Sequence, residues 1–179
     1  MVRKRPPTNA SVEWLRRTMA RYEGPLLAYA TTILGDRDRA TEVVQETFLR
    51  MWHRRRHASE DHIGPWLFTV CRNHALDVRR KERRMSPLGE DAGHNHASGQ
   101  PTPSALAERQ EAATQVAQAL RSLPANQQEV LRLKFENGFS YRQIAGITGL
   151  SPSNVGYLIH TGIRSLRETF RALGLIGQA

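Results

Sequence analysis

The 179 residues contain a single cysteine, so no internal disulfide can form, and no Cys/His group has zinc-finger spacing. A secreted scaffold held by disulfides and a structural zinc domain are both excluded, and a reducing cytoplasm is the expected compartment. Long hydrophobic runs are also missing. The most apolar stretch, Pro25 to Leu34, is interrupted by Thr31 and Thr32 and falls far short of the ~20 residues that cross a bilayer. No membrane insertion is expected. The start, Met1-Val2-Arg3-Lys4-Arg5-Pro6-Pro7, has the basic beginning of an export signal without the apolar stretch that must follow it, so export is not expected either.

What the chain does have is positive charge. Lys and Arg number 26 against 17 Asp and Glu, a formal charge of +9, which points to a polyanionic partner, nucleic acid first among them. The hydrophobic share, 39%, supports compact cores in one ordinary domain or two small ones. The charge is unevenly spread. Residues 1–85 hold 18 Lys/Arg and 10 Asp/Glu, residues 86–105 hold none and 2, and residues 106–179 hold 8 and 5. The stretch 86–105 is dominated by Gly, Pro, Ser and Asn with Leu88 as its one large apolar residue, so it cannot bury enough surface to fold alone. The expected organisation is therefore a basic tail over 1–11, a helical domain over 12–85, a flexible linker over 86–105, a second helical domain over 106–173 and a short tail over 174–179. His94 and His96 in the linker have no carboxylate or thiol cluster beside them and read as solvated, so no metal site and no cofactor are expected.

In the first half, Ala40, Val43, Val44, Thr47, Phe48, Met51 and Trp52 recur at the three-and-four spacing of one helical face, with Asp36 or Asp38 able to cap the start. An earlier helix from about Val12 brings Trp14, Leu15, Met19, Tyr22, Leu26, Leu27 and Ile33, and Gly24-Pro25 is expected to break or kink it. A third helix is expected to start at Pro65 and run through Trp66, Leu67, Val70, Cys71, His74, Ala75 and Val78. It sets Asn73, Asp77, Arg80, Lys81 and Arg84 along one edge, with Arg72, Arg79 and Arg83 beside it. Such an edge suits a phosphate backbone, because each contact releases condensed counterions, and Trp66, Phe68 and His74 are candidates to stack on unpaired bases, although spacing places Trp66 in the core. Cys71 falls on the apolar side, as a buried inert thiol.

In the second half, a helix from about Pro103 to Leu123 stops at Pro124 and another spans Asn126 to Glu136 with Val130, Leu131, Leu133 and Phe135. Helices over Tyr141 to Thr148 and Pro152 to about Leu173 follow, separated by Gly149-Leu150-Ser151. This is a helix-turn-helix pattern: Gly149 supplies a left-handed residue, Ser151 a cap, and Ile144, Ala145, Ile147, Leu150, Val155 and Ile159 the contact between helices. The second helix exposes Ser153, Asn154, Tyr157 and His160 toward bases. No segment shows sustained strand alternation, so the fold class is all-α.

Three stretches carry a family resemblance: Leu34 to Trp52 (LGDRDRATEVVQETFLRMW), Pro65 to Arg80 (PWLFTVCRNHALDVRR), and Leu123 to Leu133 (LPANQQEVLRL). Together and in this order they resemble the extracytoplasmic-function group of sigma-70 family bacterial transcription initiation factors, over roughly residues 12–85 and 106–172. The resemblance implies a region 2 bundle that binds the polymerase clamp and opens the −10 element, and a region 4 domain that reads the −35 element and touches the polymerase flap. Carried over by position, Glu42, Gln45, Glu46, Leu49 and Trp52 bind core polymerase. Trp66, Asn73, Asp77, Arg79, Arg80 and Arg84 meet −10 DNA, and Tyr141, Arg142, Ser153, Asn154, Tyr157, His160 and Arg164 meet −35 DNA. The implied partners are core polymerase, promoter DNA and an anti-sigma factor, with a monomer expected for the free chain.

One departure from the family pattern stands out. Gly156, Leu158, Thr161 and Ile163 occupy places where basic residues are common, so fewer phosphate contacts and a shallow salt dependence of −35 binding are expected, while Gly156 weakens the helix centre or serves a close approach. The implied function is non-catalytic, since duplex opening exchanges unstacking energy for capture of a flipped base and the exposed strand. A stand-alone helix-turn-helix regulator is the first alternative, but the first half carries the quoted motifs where such a regulator has a ligand or dimerisation domain. A small nuclease built on Asp36, Asp38, Glu42 and Glu46 is the second, and it lacks a His pair, a phosphate-binding glycine loop and a nucleophile arrangement.

Overall fold

The computed structural model describes residues 9–54, 60–85 and 114–174, all of them in helices and the turns that join them, and the chain divides into two compact units between Asn95 and His96. The expected linker over 86–105, with His94 and His96, lies outside the described residues, as do residues 1–8 of the expected basic tail, 175–179 of the short tail and the first part, to residue 113, of the helix expected from Pro103. Among the described residues there is no strand, and no helix is long and apolar enough to cross a membrane.

The first unit is three helices, α1 (Asn9–Leu34), α2 (Arg37–Arg54) and α3 (Glu60–Met85), each packed on the other two. The α1–α2 corner forms because Gly35 takes a left-handed conformation, φ +72°, and the Asp36 carboxylate accepts the Arg39 backbone N–H at 2.9 Å, capping α2. The apolar repeat of α2 is then buried in full at Ala40, Val43, Val44, Thr47, Phe48 and Met51. The Thr47 hydroxyl, in the core, donates to the Val43 carbonyl at 2.8 Å and so carries no desolvation debt. Against this face lie Leu26, Tyr29 and Ala30 of α1 and Ile63, Leu67, Phe68, Cys71 and Ala75 of α3, with the Tyr29 and Phe68 rings 5.2 Å apart and tilted.

Two prolines lie inside helices where a break and a start were among the expectations. α1 runs on through Pro25 instead of breaking there, and α3 begins at Glu60, so Pro65 lies inside it instead of opening it. Each proline is preceded by glycine, Gly24 and Gly64, whose missing Cβ removes the clash that normally keeps a pre-proline residue out of helical geometry. Packing of Leu26, Tyr29 and Ala30 beyond the first, and Leu67 and Phe68 beyond the second, outweighs one lost backbone hydrogen bond in each helix. Gly64 has a further use, since a Cβ there would lie 2.9 Å from the Tyr22 hydroxyl. On α1, Trp14, Leu15, Met19, Tyr22, Leu27 and Ile33 are only half-buried, and Trp52, Val70 and Val78 sit at the margin of the core.

The second unit comprises α4 (helical over residues 114–121), α5 (Ala125–Phe135), α6 (Tyr141–Thr148) and α7 (Pro152–Ala172). Gln128 joins α4 to α5 by donating its amide to the Leu123 carbonyl at 2.7 Å. The start of α6 is a capping box: the Gln143 backbone N–H donates to the Ser140 hydroxyl while the Ser140 N–H donates to the Gln143 side chain at 2.8 Å. Gly149 (φ +77°) ends α6, Ser151 caps α7 through the Asn154 N–H, and Pro152 occupies the first turn. Ile144, Ala145, Ile147, Val155, Leu158 and Ile159 close the core, with Leu150 half-buried. Phe135, expected among the core residues of α5, is 64% exposed, and Phe139 beyond the turn is buried instead. Phe135 is the last residue of α5, and the turn beyond it at Gly138 (φ +72°) brings Phe139 into the core in its place.

Candidate nucleic-acid interface

The surface of α3 outside its core stripe carries Asn73, Asp77, Arg79, Arg80, Lys81, Arg83 and Arg84, all exposed, with Arg79 on the flank nearest α1. These cations are organised by ion pairs and hydrogen bonds. Arg80 donates to the Asp77 carboxylate at 2.8 Å, one turn back on the same helix, so Asp77 orients a guanidinium that stays open to solvent. Arg79 reaches the Ile33 carbonyl of α1 at 3.5 Å. Glu82, the second acid of this stretch after Asp77, pairs with Arg39 of α2 at 2.7 Å. Spacing reverses the two aromatics: Phe68 is wholly buried against Tyr29 and cannot stack on a base, while Trp66, assigned to the core by spacing, is half-buried at the rim. His74 is half-buried. Burial first and the Arg50 guanidinium second hold it below its usual pKa against the opposing pull of Glu46 and Asp77.

On α2, Glu42, Gln45 and Leu49 share one exposed face, with Leu49 54% exposed, and Glu46 completes it while accepting the Arg50 guanidinium at 2.9 Å. Trp52 stands at the edge of that face and is half-buried. An exposed leucine ringed by carboxylates and an amide is the composition of a protein-docking surface with a basic rim on the partner.

In the helix-turn-helix, Ser153, Tyr157, His160 and Arg164 fall on one stripe of α7 at steps of four, three and four, directly opposite the buried Val155 and Gly162, and all four are exposed. Asn154 is exposed beside them, and Tyr141 and Arg142 are exposed at the start of α6. Leu158 and Thr161 are buried, so cations at those positions would not face solvent here. Their neutrality is required by packing, and only Gly156 and Ile163 remain as departures that bear on phosphate contact. Gly156 lies under the Tyr141 ring, a Cβ there reaching 3.5 Å from Cε2, which is ordinary contact and leaves room for one more carbon.

Three placements were not visible in the sequence. The Lys134 ammonium sits 5.5 Å from the centre of the Tyr141 ring, a cation–π contact across the α5–α6 turn. Gln127 of α5 donates its amide to the Thr161 hydroxyl at 3.3 Å, and that hydroxyl donates back to the Tyr157 carbonyl at 2.9 Å. Gly162 allows α5 to approach α7, for a Cβ there would lie 2.9 Å from Leu131 Cδ1. A small residue on an otherwise large apolar stripe was the one available signal, and it concerned Gly162 alone.

Cys71 is fully buried, as expected, and its thiol is pushed up to about 12 by burial, with a hydrogen bond to Thr47 opposing. Among the described residues no group of three or more His, Cys, Asp and Glu is placed to hold a metal ion.

Residues 18–85 match the family profile for Sigma-70 region 2, and residues 113–166 that for Sigma-70, region 4. The chain is 35% identical over 155 residues to the ECF RNA polymerase sigma factor SigL of Mycobacterium tuberculosis, covering 84% of this chain and 85% of the relative. It is 36% identical over 139 residues to the ECF RNA polymerase sigma factor EcfG of Rhodopseudomonas palustris, covering 73% and 70%. Among solved structures, the fold resembles the sigma factor RpoE of Bartonella quintana in complex with the anti-sigma factor NepR, with a TM-score of 0.66, 22% identity, and 87% and 96% of the two chains covered. It also resembles CnrH in complex with the cytosolic domain of CnrY, with a TM-score of 0.58, 25% identity and 88% of each chain covered. With both regions matched in order and a relative at this identity spanning most of its length, the chain belongs to the extracytoplasmic-function group of sigma-70 RNA polymerase sigma factors, the subunits that give the polymerase its promoter specificity.

Proposed function

We propose that the two described units divide the work of promoter recognition. The first seats the exposed α2 face of Glu42, Gln45, Glu46 and Leu49, with Trp52 at its edge, on the clamp of core polymerase. It presents Asn73, Asp77, Arg79, Arg80 and Arg84 of α3, with Trp66 at the rim, to the −10 element. The second presents Tyr141, Arg142, Ser153, Asn154, Tyr157, His160 and Arg164 to the −35 element and contacts the flap. The observation that carries this reading is the placement of the two faces. The carboxylate-and-leucine face of α2 and the cationic face of α3 belong to one three-helix unit, so docking the first brings the second to bear on DNA with little further loss of freedom.

The role is non-catalytic, exercised in the cytoplasm and without a cofactor. Duplex opening costs a few kcal/mol per base step, offset by strand capture along the cations of α3. An anti-sigma protein is the proposed regulatory partner, supported by the complex of the similar RpoE of Bartonella quintana with the anti-sigma factor NepR. The chain is monomeric when free.

The test is co-elution of the full chain with bacterial core polymerase on a sizing column, beside a Gln45→Ala/Glu46→Ala/Leu49→Ala variant. Wild type should co-elute and the variant should not, while both keep the same helical circular dichroism. If wild type and variant co-elute equally, the α2 assignment fails. If neither binds a competent core, the polymerase-binding reading fails and a stand-alone DNA-binding protein takes its place.

A further inference from the structure

Tyr157 stands at the middle of the exposed stripe of α7 and is 65% exposed. Its neighbours one turn away, Ser153, Asn154 and His160, are polar and its next cation on the stripe is Arg164, two turns on. The ring is thus not part of a phosphate clamp. Its backbone is nonetheless held more firmly than exposure suggests. The Thr161 hydroxyl donates to the Tyr157 carbonyl at 2.9 Å and to the Leu158 carbonyl at 3.2 Å, and Gln127 fixes that hydroxyl from α5. On the other flank Gly156 lies beside the Tyr141 ring, where a Cβ would be 3.5 Å from Cε2.

From this geometry we propose that Tyr157 is a specificity-determining residue that reads the C5-methyl group of a thymine in the −35 element, with Gln127 and Thr161 as its positioning residues. The inference rests on the −35 reading above. A ring at the centre of a groove-facing stripe meets base edges, whereas phosphates fall to the flanks, and the one apolar feature among major-groove base edges is the thymine methyl. The Thr161 hydroxyl helps fix the backbone from which the ring projects, so only the side-chain rotamer of Tyr157 is left to order on binding.

The experiment uses the full chain assembled with core polymerase. Duplexes are enriched by this holoenzyme from a random-sequence library, and each thymine of the enriched −35 element is then replaced in turn by deoxyuridine, which deletes only the methyl. One position should lose about fourfold in affinity, the worth of one buried methyl group, with wild type and with Tyr157→Phe. Tyr157→Ala, at an exposed site, should bind the thymine and uracil duplexes equally. Thr161→Val keeps the shape without the hydroxyl and should lose the discrimination, while Thr161→Ser restores it.

A −35 element without thymine, no loss at any thymine with wild type, loss undiminished in Tyr157→Ala, or discrimination abolished in Tyr157→Phe overturns the methyl contact and leaves the −35 reading standing. Undiminished discrimination in Thr161→Val overturns the positioning role. Failure to enrich any −35 element overturns both the contact and the reading it rests on.

Discussion

Arg39, in the first turn of α2, holds Glu82, near the end of α3, at 2.7 Å. The pair ties the corner that launches α2 to the most cationic part of α3, and it neutralises the carboxylate that falls in sequence among Arg79, Arg80, Lys81, Arg83 and Arg84. Both partners are roughly half-exposed, so the pair has more effect on the field at the cationic surface of α3 than on folding.

Replacing Glu82 with Gln should therefore lower stability by less than about 1 kcal/mol in chemical denaturation, as for other solvent-exposed pairs. DNA binding should tighten at low salt, because the lost negative charge and the released Arg39 favour one more phosphate contact. In a salt titration the slope of log affinity against log salt should steepen by up to about 0.9. An unchanged slope would show that Glu82 lies outside the DNA field.

Two glycines of α7 should respond to alanine with opposite signs. At Gly156 the new methyl meets the Tyr141 ring at ordinary distance, so Gly156→Ala should gain up to about 1 kcal/mol from helix propensity. At Gly162 the methyl would lie 2.9 Å from Leu131 Cδ1 in a filled core, and an overpacking cost of roughly 1–3 kcal/mol should exceed the same gain. Thermal melts of the two variants settle the comparison.

Cys71 should react with thiol reagents only through unfolding. Its pKa, raised by burial from 9.0 to about 12, leaves almost no thiolate at pH 8. The unfolded chain releases this proton first, so the group's contribution to stability is fully present below pH 9 and is lost as pH rises toward 12. A Cys71→Ala variant should be less stable at pH 7 through the small cavity, yet lose less stability than wild type between pH 8 and 10.5. Denaturation midpoints across that range provide the check.

His74 titrates in the opposite direction. Burial and Arg50 lower its folded pKa, so the stability it contributes is present above the ordinary histidine value and is lost as pH falls below it. His74→Gln should flatten the acid side of the stability profile, read by circular dichroism melts from pH 7 downward. A variant with the wild-type acid slope would place the proton elsewhere.

Periodicity found the helices that pack on one face, because burial follows spacing wherever a helix meets one core. Every residue of the Ala40-to-Met51 repeat is buried, and the turn at Gly149 with the cap at Ser151 came directly from residue chemistry. Proline misled where it followed glycine: a rule based on the pre-proline Cβ does not apply to Gly24 or Gly64. Trp66 and Phe68 were exchanged because both fit a loosely apolar spacing, and only the position of Tyr29 decides between them. The exposure of Ser153, Asn154, Tyr157 and His160 was readable, but the inward turn of Leu158 and Thr161 was not, since a family pattern of basic residues suggested an outward one. Lys134 beside Tyr141 and Gln127 beside Thr161 depend on how α5 crosses its neighbours, which no local pattern encodes.

Pro25 inside α1 also gives that helix two rates of opening. The carbonyl four residues upstream, at Arg21, receives no donor from the ring nitrogen, and residues 9–24 contribute only Thr18 to the fully buried set, whereas 25–34 contribute Leu26, Tyr29 and Ala30. Amide protons ahead of the proline should exchange with solvent through local fraying, and those behind it only when all three helices separate. The leading four turns can thus melt and re-form while the platform that carries the α2 and α3 faces stays folded.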